Sequence, residues 1–250
     1  MSKADRERSA RQKLAEERAK QAARQKQQRL LLIVLGALAA VAVVVVAVVL
    51  VTNSGGGDKD GSDYTGALAP TTRNADGSVA MAKAGVTKPV LEVYEDFQCP
   101  ACKNLEETLG ATMKEQAAAG KVQVVYRPFR LFQQEPLKSN SQRAANAALC
   151  APADKWIQFH DRLYAEQPEE GQVGFENDDL VTWGGEVGIT GEAFAGCVTG
   201  GEKNAQVDQA TAKAAQAGVQ ATPTLMLDGT KVSDDALTPE GLEKAIAAAA

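Results

Sequence analysis

The chain has 250 residues, with 27 Lys and Arg against 32 Asp and Glu, and a net charge of −5. That length suits one sizeable domain with additions, and the acidic balance argues against a nucleic-acid partner. One histidine and four cysteines leave little material for a metal site built from several histidines or from two close cysteine pairs.

Charge is distributed unevenly along the chain. Residues 1–29 carry ten Lys and Arg and four Asp and Glu, a net +6, which leaves −11 for the remainder. From Leu30 to Val51 the sequence "LLLIVLGALAAVAVVVVAVVLV" has no charge and no polar face. A helix of this length spans about 33 Å, close to the hydrocarbon thickness of a bilayer. A buried core helix would show a polar stripe. A cleaved signal peptide would have an apolar region of about 7–15 residues and an Ala-x-Ala-like site. The run is longer than that, and "LVTNSGGG" follows it. The expectation is a single uncleaved signal anchor, with the basic leader 1–29 cytoplasmic and everything after Val51 outside.

Residues 52–78 are rich in Gly, Ser, Asp and Thr and read as a flexible tether with a reach of roughly 25–30 Å. The folded domain is expected over 79–250. "KPVLEVYEDF" reads as a largely buried strand. Leu105, Leu109 and Met113 then recur every four residues, and Gly120 closes that run as a helix C-terminal signal. "KVQVVYRPFRLF" (121–132) alternates as a second strand, giving a strand–helix–strand unit with parallel pairing. Helical segments follow: "QRAANAALC" capped by Ser139 or Ser141, "KWIQFHDRLYAEQ" capped by Asp154, "NDDLVTWGGEVG", "TGEAFAGCV" and "EKNAQVDQATAKAAQ". "TLML" is a strand, Asp228-Gly229 a hairpin turn, and Thr238-Pro239 opens a last helix through Leu242 and Ile246.

The chemistry centres on "EDFQCPACKNLEETL". Cys99 falls at a helix N-terminus, where the exposed N–H groups and the helix dipole favour a thiolate, and Pro100 stands in the first turn. Its pKa should lie below the free value of about 8.5. Cys102, one turn further in, is the more buried thiol, placed to resolve a mixed disulfide. The other cysteines, Cys150 and Cys197, are 47 residues apart, and four cysteines allow three pairings. The sole histidine, His160, shares a helix face with Trp156 and Leu163 and reads as a partly packed structural residue.

The ordered set "DFQCPACKNLE", "VVYRPFRLF", "SQRAANAALC", "FHDRLY" and "GVQATPTLMLDG" resembles the DsbA-like thiol–disulfide oxidoreductases of the thioredoxin superfamily, and within them the membrane-anchored proteins of actinobacteria. The resemblance covers about Lys88 to Ala250. It implies an α/β thioredoxin-like fold with a helical insertion at about 137–199, and a cis Thr222-Pro223 bond facing the cysteine pair. In such proteins Pro100 and Ala101 shape the active turn, and Thr222 offers its backbone to an extended substrate. It further implies that Cys150 and Cys197 pair as a structural disulfide, where two free thiols or a second redox pair are the alternatives.

Two positions depart from the superfamily's pattern. A buried carboxylate six residues before the first cysteine is replaced by Val93; Glu92 and Glu95 flank it and read as solubilising residues at the strand edge. Ala101 stands where a strongly oxidising relative has histidine, which points to a potential between about −270 and −120 mV. The resemblance implies an enzyme that introduces disulfides into exported proteins, without metal or dissolved cofactor. Its partners would be reduced or unfolded exported proteins and a quinone-linked membrane oxidase of the DsbB or VKOR type. The rival readings are an anchored reductase, a disulfide isomerase, and an extracellular chaperone or binding module that keeps the fold without turnover.

Overall fold

The computed structural model describes residues 64–250. The basic leader, the expected span Leu30–Val51 and the linker up to residue 63 lie outside the described residues. Among the described residues no helix is long and apolar enough to cross a membrane.

Six strands form one sheet: β1 (Thr71–Arg73), β2 (Val79–Met81), β3 (Val90–Glu95), β4 (Gln123–Pro128), β5 (Thr224–Leu227) and β6 (Thr230–Lys231), in the order β1-β2-β4-β3-β5-β6. β3 and β4 run parallel, with Val90 opposite Gln123 and Glu95 opposite Pro128. Between them lies α1 (Pro100–Ala118), so the crossover helix starts directly after β3. β5 pairs antiparallel with the other edge of β3, Tyr94 opposite Thr224.

Five helices separate β4 from β5: α2 (Leu137–Cys150), α3 (Trp156–Ala165), α4 (Asn177–Glu186), α5 (Glu192–Gly200) and α6 (Asn204–Gln216); α7 (Pro239–Ala249) ends the chain. The alternation of β3 divides the core. Leu91 and Val93 face the main cluster with Leu105, Leu109 and Met113 of α1 and Leu242 and Ile246 of α7. Tyr94 faces the opposite side, with Phe129, Ala214 of α6 and Val219. Central strands covered on both sides need apolar residues in both registers, and β3 has them. Thr238 caps α7, its hydroxyl accepting the Gly241 N–H at 3.1 Å. Asp228 and Gly229 both take positive φ, 47° and 79°, the conformation a two-residue hairpin turn requires.

Three local expectations need correction. Thr71–Arg73, inside the stretch read as tether, is a strand. Hydrogen bonds hold it where apolar burial does not: the Arg73 guanidinium donates to the carbonyls of Gly77, Ala148 and Ala151 at 3.0, 3.1 and 2.6 Å, and the Thr71 hydroxyl donates to Ala153. Arg73 thereby satisfies carbonyls at the C-terminal end of α2 that have no partner within the helix. Ser139 and Ser141 do not cap α2, which begins at Leu137 behind Pro136. The Ser139 N–H is taken instead by the Glu135 carboxylate at 3.2 Å and the Lys138 N–H by the Gln134 carbonyl at 2.8 Å, so no hydroxyl cap is needed. Asp154 lies in a short 3₁₀ turn, Ala153–Lys155, after Pro152, and makes no cap hydrogen bond.

Candidate active site

The strand-to-helix turn that carries the cysteines is held from three directions. Asp96, directly after β3, accepts the N–H of Gln98 at 2.9 Å and of Leu131 at 2.8 Å, an arrangement that closes the turn and ties it to the segment after β4. Its carboxyl is buried, and burial lifts its pKa to about 6 against those hydrogen bonds. The buried Gln98 side chain accepts from Asn140 of α2 at 2.6 Å. From the segment after α3, Gln167 donates its amide to the carbonyls of Phe97 at 2.6 Å and Cys99 at 3.0 Å. The helical insertion therefore grips the cysteine turn through two side chains.

Cys99 is the N-cap residue of α1, with Pro100 at its first turn. Pro100 and Ala101 are exposed and form the outer rim of the turn. Both Cys99 and Cys102 are free thiols, and they differ in environment. The Cys102 thiol donates toward Cys99, and this is the largest influence on the Cys99 pKa. Burial opposes it, while the Thr222 side chain and the N–H groups of Cys102 and Ala101 add to it. The net effect lowers the Cys99 pKa to about 6. Burial, and then the neighbouring Cys99, push Cys102 strongly upward. Thr222-Pro223 is a cis peptide, and the Thr222 carbonyl oxygen lies 3.5 Å from the Cys99 Sγ. Sequence positions 123 residues apart thus meet at one sulfur. The pairing of β3 with β5 brings them there.

Cys150 and Cys197 form a disulfide that joins the last residue of α2 to α5. It belongs to the helical insertion and leaves the Cys99 turn untouched.

Behind the cysteines lies a buried ionic network that was not foreseen. Glu95 is wholly buried, not a solubilising residue at a strand edge. Its place follows from period two: it shares the face of Leu91 and Val93, which the helices cover. His160 is also fully buried, and it does more than pack. Its Nε2 lies 3.1 and 3.2 Å from the two Glu95 carboxylate oxygens, and its Nδ1 lies 3.2 Å from Asp161. Burial works against a charged ring here, but Glu95 and Asp161 outweigh it and raise the His160 pKa to about 10. Asp161 also holds Lys114 of α1 at 2.6 Å, and the Tyr164 hydroxyl donates to Glu95 at 3.1 Å. The alternation through Val93 was the available signal for Glu95; nothing local marks Gln167.

The thioredoxin family profile matches residues 84–248. The chain belongs to the thioredoxin family. Among solved structures, reduced DsbA of Mycobacterium tuberculosis is 27% identical with a TM-score of 0.59, the match covering 73% of this chain and 92% of that one. The disulfide bond oxidoreductase DsbG of the same organism is 28% identical with a TM-score of 0.59, covering 77% and 92%. MdbA of Corynebacterium matruchotii, a thiol-disulfide oxidoreductase, shares the fold at 23% identity and a TM-score of 0.61, covering 73% and 96%. No curated protein sequence matches the chain.

Proposed function

We propose that this DsbA-like protein disulfide oxidoreductase uses Cys99 and Cys102 to introduce disulfides into exported proteins outside the cytoplasmic membrane. One observation carries the reading: two thiols one helical turn apart are driven in opposite directions, Cys99 down to about 6 and Cys102 up. In the oxidised pair, a substrate thiolate attacks the Cys99 sulfur. The Cys99–Cys102 bond breaks, a substrate–Cys99 disulfide forms, and Cys102 leaves and takes up a proton in its buried position. A second substrate thiolate then attacks the substrate sulfur of the mixed disulfide and releases Cys99 as a thiolate. The substrate loses two electrons and the pair gains them. A stabilised Cys99 thiolate stabilises the reduced pair, which makes the disulfide the stronger oxidant.

The Thr222 backbone beside Cys99 serves as the docking edge for an extended substrate. The apolar run Leu30–Val51, with its basic leader, anchors the domain in the cell membrane and leaves residues 52–250 outside. No dissolved cofactor takes part; a quinone-linked membrane oxidase of the DsbB or VKOR type restores the disulfide. The purified chain, oxidised, should convert a reduced unfolded protein to its disulfide form in one stoichiometric burst, and Cys99→Ser should abolish the burst. A potential at or below thioredoxin's roughly −270 mV, with the pair found reduced in cells, would assign the protein to thiol reduction instead.

A further inference from the structure

The ionic network behind Cys102 contains a group whose position its own partners do not explain. Glu106 lies on α1, one turn after Cys102. Both of its carboxylate oxygens are buried and neither has a hydrogen-bond partner. Burying an unpartnered carboxylate is costly, and Glu106 stands on the covered face of α1, between Cys102 and Gly110, both buried. The carboxylate instead points inward, over Gly110. A Cβ at position 110 would stand 2.8 Å from Glu106 Oε2, so glycine at that position leaves room for the carboxylate. Facing it are Glu95 and His160. One ligand-type atom from each of Glu95, Glu106 and His160 lies within 4.8 Å of the other two.

We propose that Glu95, Glu106 and His160 form a buried binding site for one divalent transition-metal cation, zinc before manganese. One imidazole and two carboxylates form a mixed nitrogen and oxygen donor set of the kind such ions take. In a tetrahedral zinc site, ligand atoms about 2.0–2.2 Å from the ion stand roughly 3.3 Å from one another. His160 Nε2 and Glu95 Oε1 are already 3.1 Å apart, so the remaining adjustment falls on the unpartnered Glu106 side chain. The surroundings have the form of a metal site's outer shell. His160 turns its Nδ1 to Asp161 at 3.2 Å, and Asp161 is itself fixed by Lys114. A carboxylate behind a ligating imidazole keeps the proton on Nδ1, so that binding the ion displaces the Nε2 proton now directed at Glu95. Tyr164 holds the second Glu95 oxygen. The Tyr126 hydroxyl, also buried and unpartnered, has Glu106 and Glu95 as electrostatic neighbours and supplies a fourth donor or the partner of a bound water. The sequence pattern gives no warning of such a site, because its three ligands come from β3, α1 and α3 at no spacing typical of a metal site.

Metal content of the full-length chain, purified in detergent with Cys99–Cys102 oxidised, tests the proposal and does not depend on turnover. Oxidation removes the thiolates as competing ligands. The protein is unfolded, stripped with chelator, and refolded with zinc chloride, manganese chloride or neither, then dialysed and analysed by plasma mass spectrometry. The expected result is one tightly held zinc per chain. It should be lost in Glu106→Gln, which keeps the shape, and kept in Glu107→Gln, which alters an exposed neighbour. Cobalt(II) in place of zinc should give a visible d–d spectrum without sulfur-to-metal charge transfer. Wild-type chain that refolds to its native circular dichroism with no zinc or manganese retained would overturn the proposal, and would leave Glu106 as a buried protonated acid. Equal zinc in wild type and a folded Glu106→Gln, or a sulfur-to-cobalt band, would place the ion elsewhere and overturn it equally.

Discussion

The asymmetric thiol pair predicts how the reduction potential should change with pH. Reducing the disulfide takes up two electrons. Below the Cys99 pKa both sulfurs leave as thiols, so two protons accompany the electrons and the potential should fall by about 59 mV per pH unit. Above it only Cys102 is protonated, one proton is taken up, and the slope should halve to about 30 mV per pH unit. With Cys99 at about 6, the break falls at about pH 6, and the shallow limb continues upward because Cys102 is displaced far the other way. The magnitude follows. At pH 7 the thiolate outnumbers the thiol by about tenfold, which stabilises the reduced pair by at most about 1.4 kcal/mol, or about 30 mV. Equilibration with dithiol redox buffers between pH 4.5 and 8.5, read by alkylation and mass, measures the curve. Substitution tests its cause. Cys102→Ala removes the leading donor to Cys99 and should raise the Cys99 pKa by about one to two units, whereas Cys102→Ser keeps a donor and should raise it less. A single slope of about 59 mV through pH 8, or equal Cys99 alkylation profiles in the two variants, would refute the electrostatic account.

Replacing both Cys150 and Cys197 by alanine should lower stability in urea by about 2–5 kcal/mol while leaving the potential of the other pair unchanged, since the bridge lies wholly within the helical insertion. Lys114→Met removes the 2.6 Å partner of buried Asp161 and leaves it His160 alone at 3.2 Å; it should cost about 1–3 kcal/mol in the same assay. Gln167→Ala removes donors at 2.6 and 3.0 Å to the carbonyls of Phe97 and Cys99. It should slow the oxidation burst several-fold for about 1–2 kcal/mol of lost positioning. Gln167→Glu, which keeps the shape but has no N–H to donate, should not rescue it; full rescue by Glu would show that the hydrogen bonds are irrelevant.

Much of the core architecture was legible because local signals and tertiary demands coincide. The apolar run before Cys99, the four-residue repeat of Leu105, Leu109 and Met113, and Asp228-Gly229 each admit one structure, and the sheet requires that same structure. The parts that were not legible depend on distant partners. Nothing near Thr71–Arg73 announces a strand, because carbonyls of α2 about 75 residues away hold it. Serine at 139 or 141 looks like a cap, but the helix begins earlier, at Leu137, and the Glu135 carboxylate takes the Ser139 N–H. Glu95 was misread because a carboxylate at a strand end is usually solvated, and only the far side chains of His160 and Tyr164 make its burial tolerable. Glu106 follows the same helical face as Cys102, a relation that spacing alone exposes, but its lack of a partner is visible only in three dimensions.

The meeting of Cys99 with Thr222 has a consequence for the order in which the protein matures. A chain made from its N-terminus presents Cys99 and Cys102 early, while the segment that completes their surroundings is still 123 residues away. Until β5 has emerged and paired with β3, the nascent Cys99 lacks the Thr222 wall and has only its local donors, Cys102 and the N–H of Ala101. The surroundings of the pair are therefore complete only near the end of synthesis. A truncated or stalled chain carries the motif without the wall that the far end of the domain supplies.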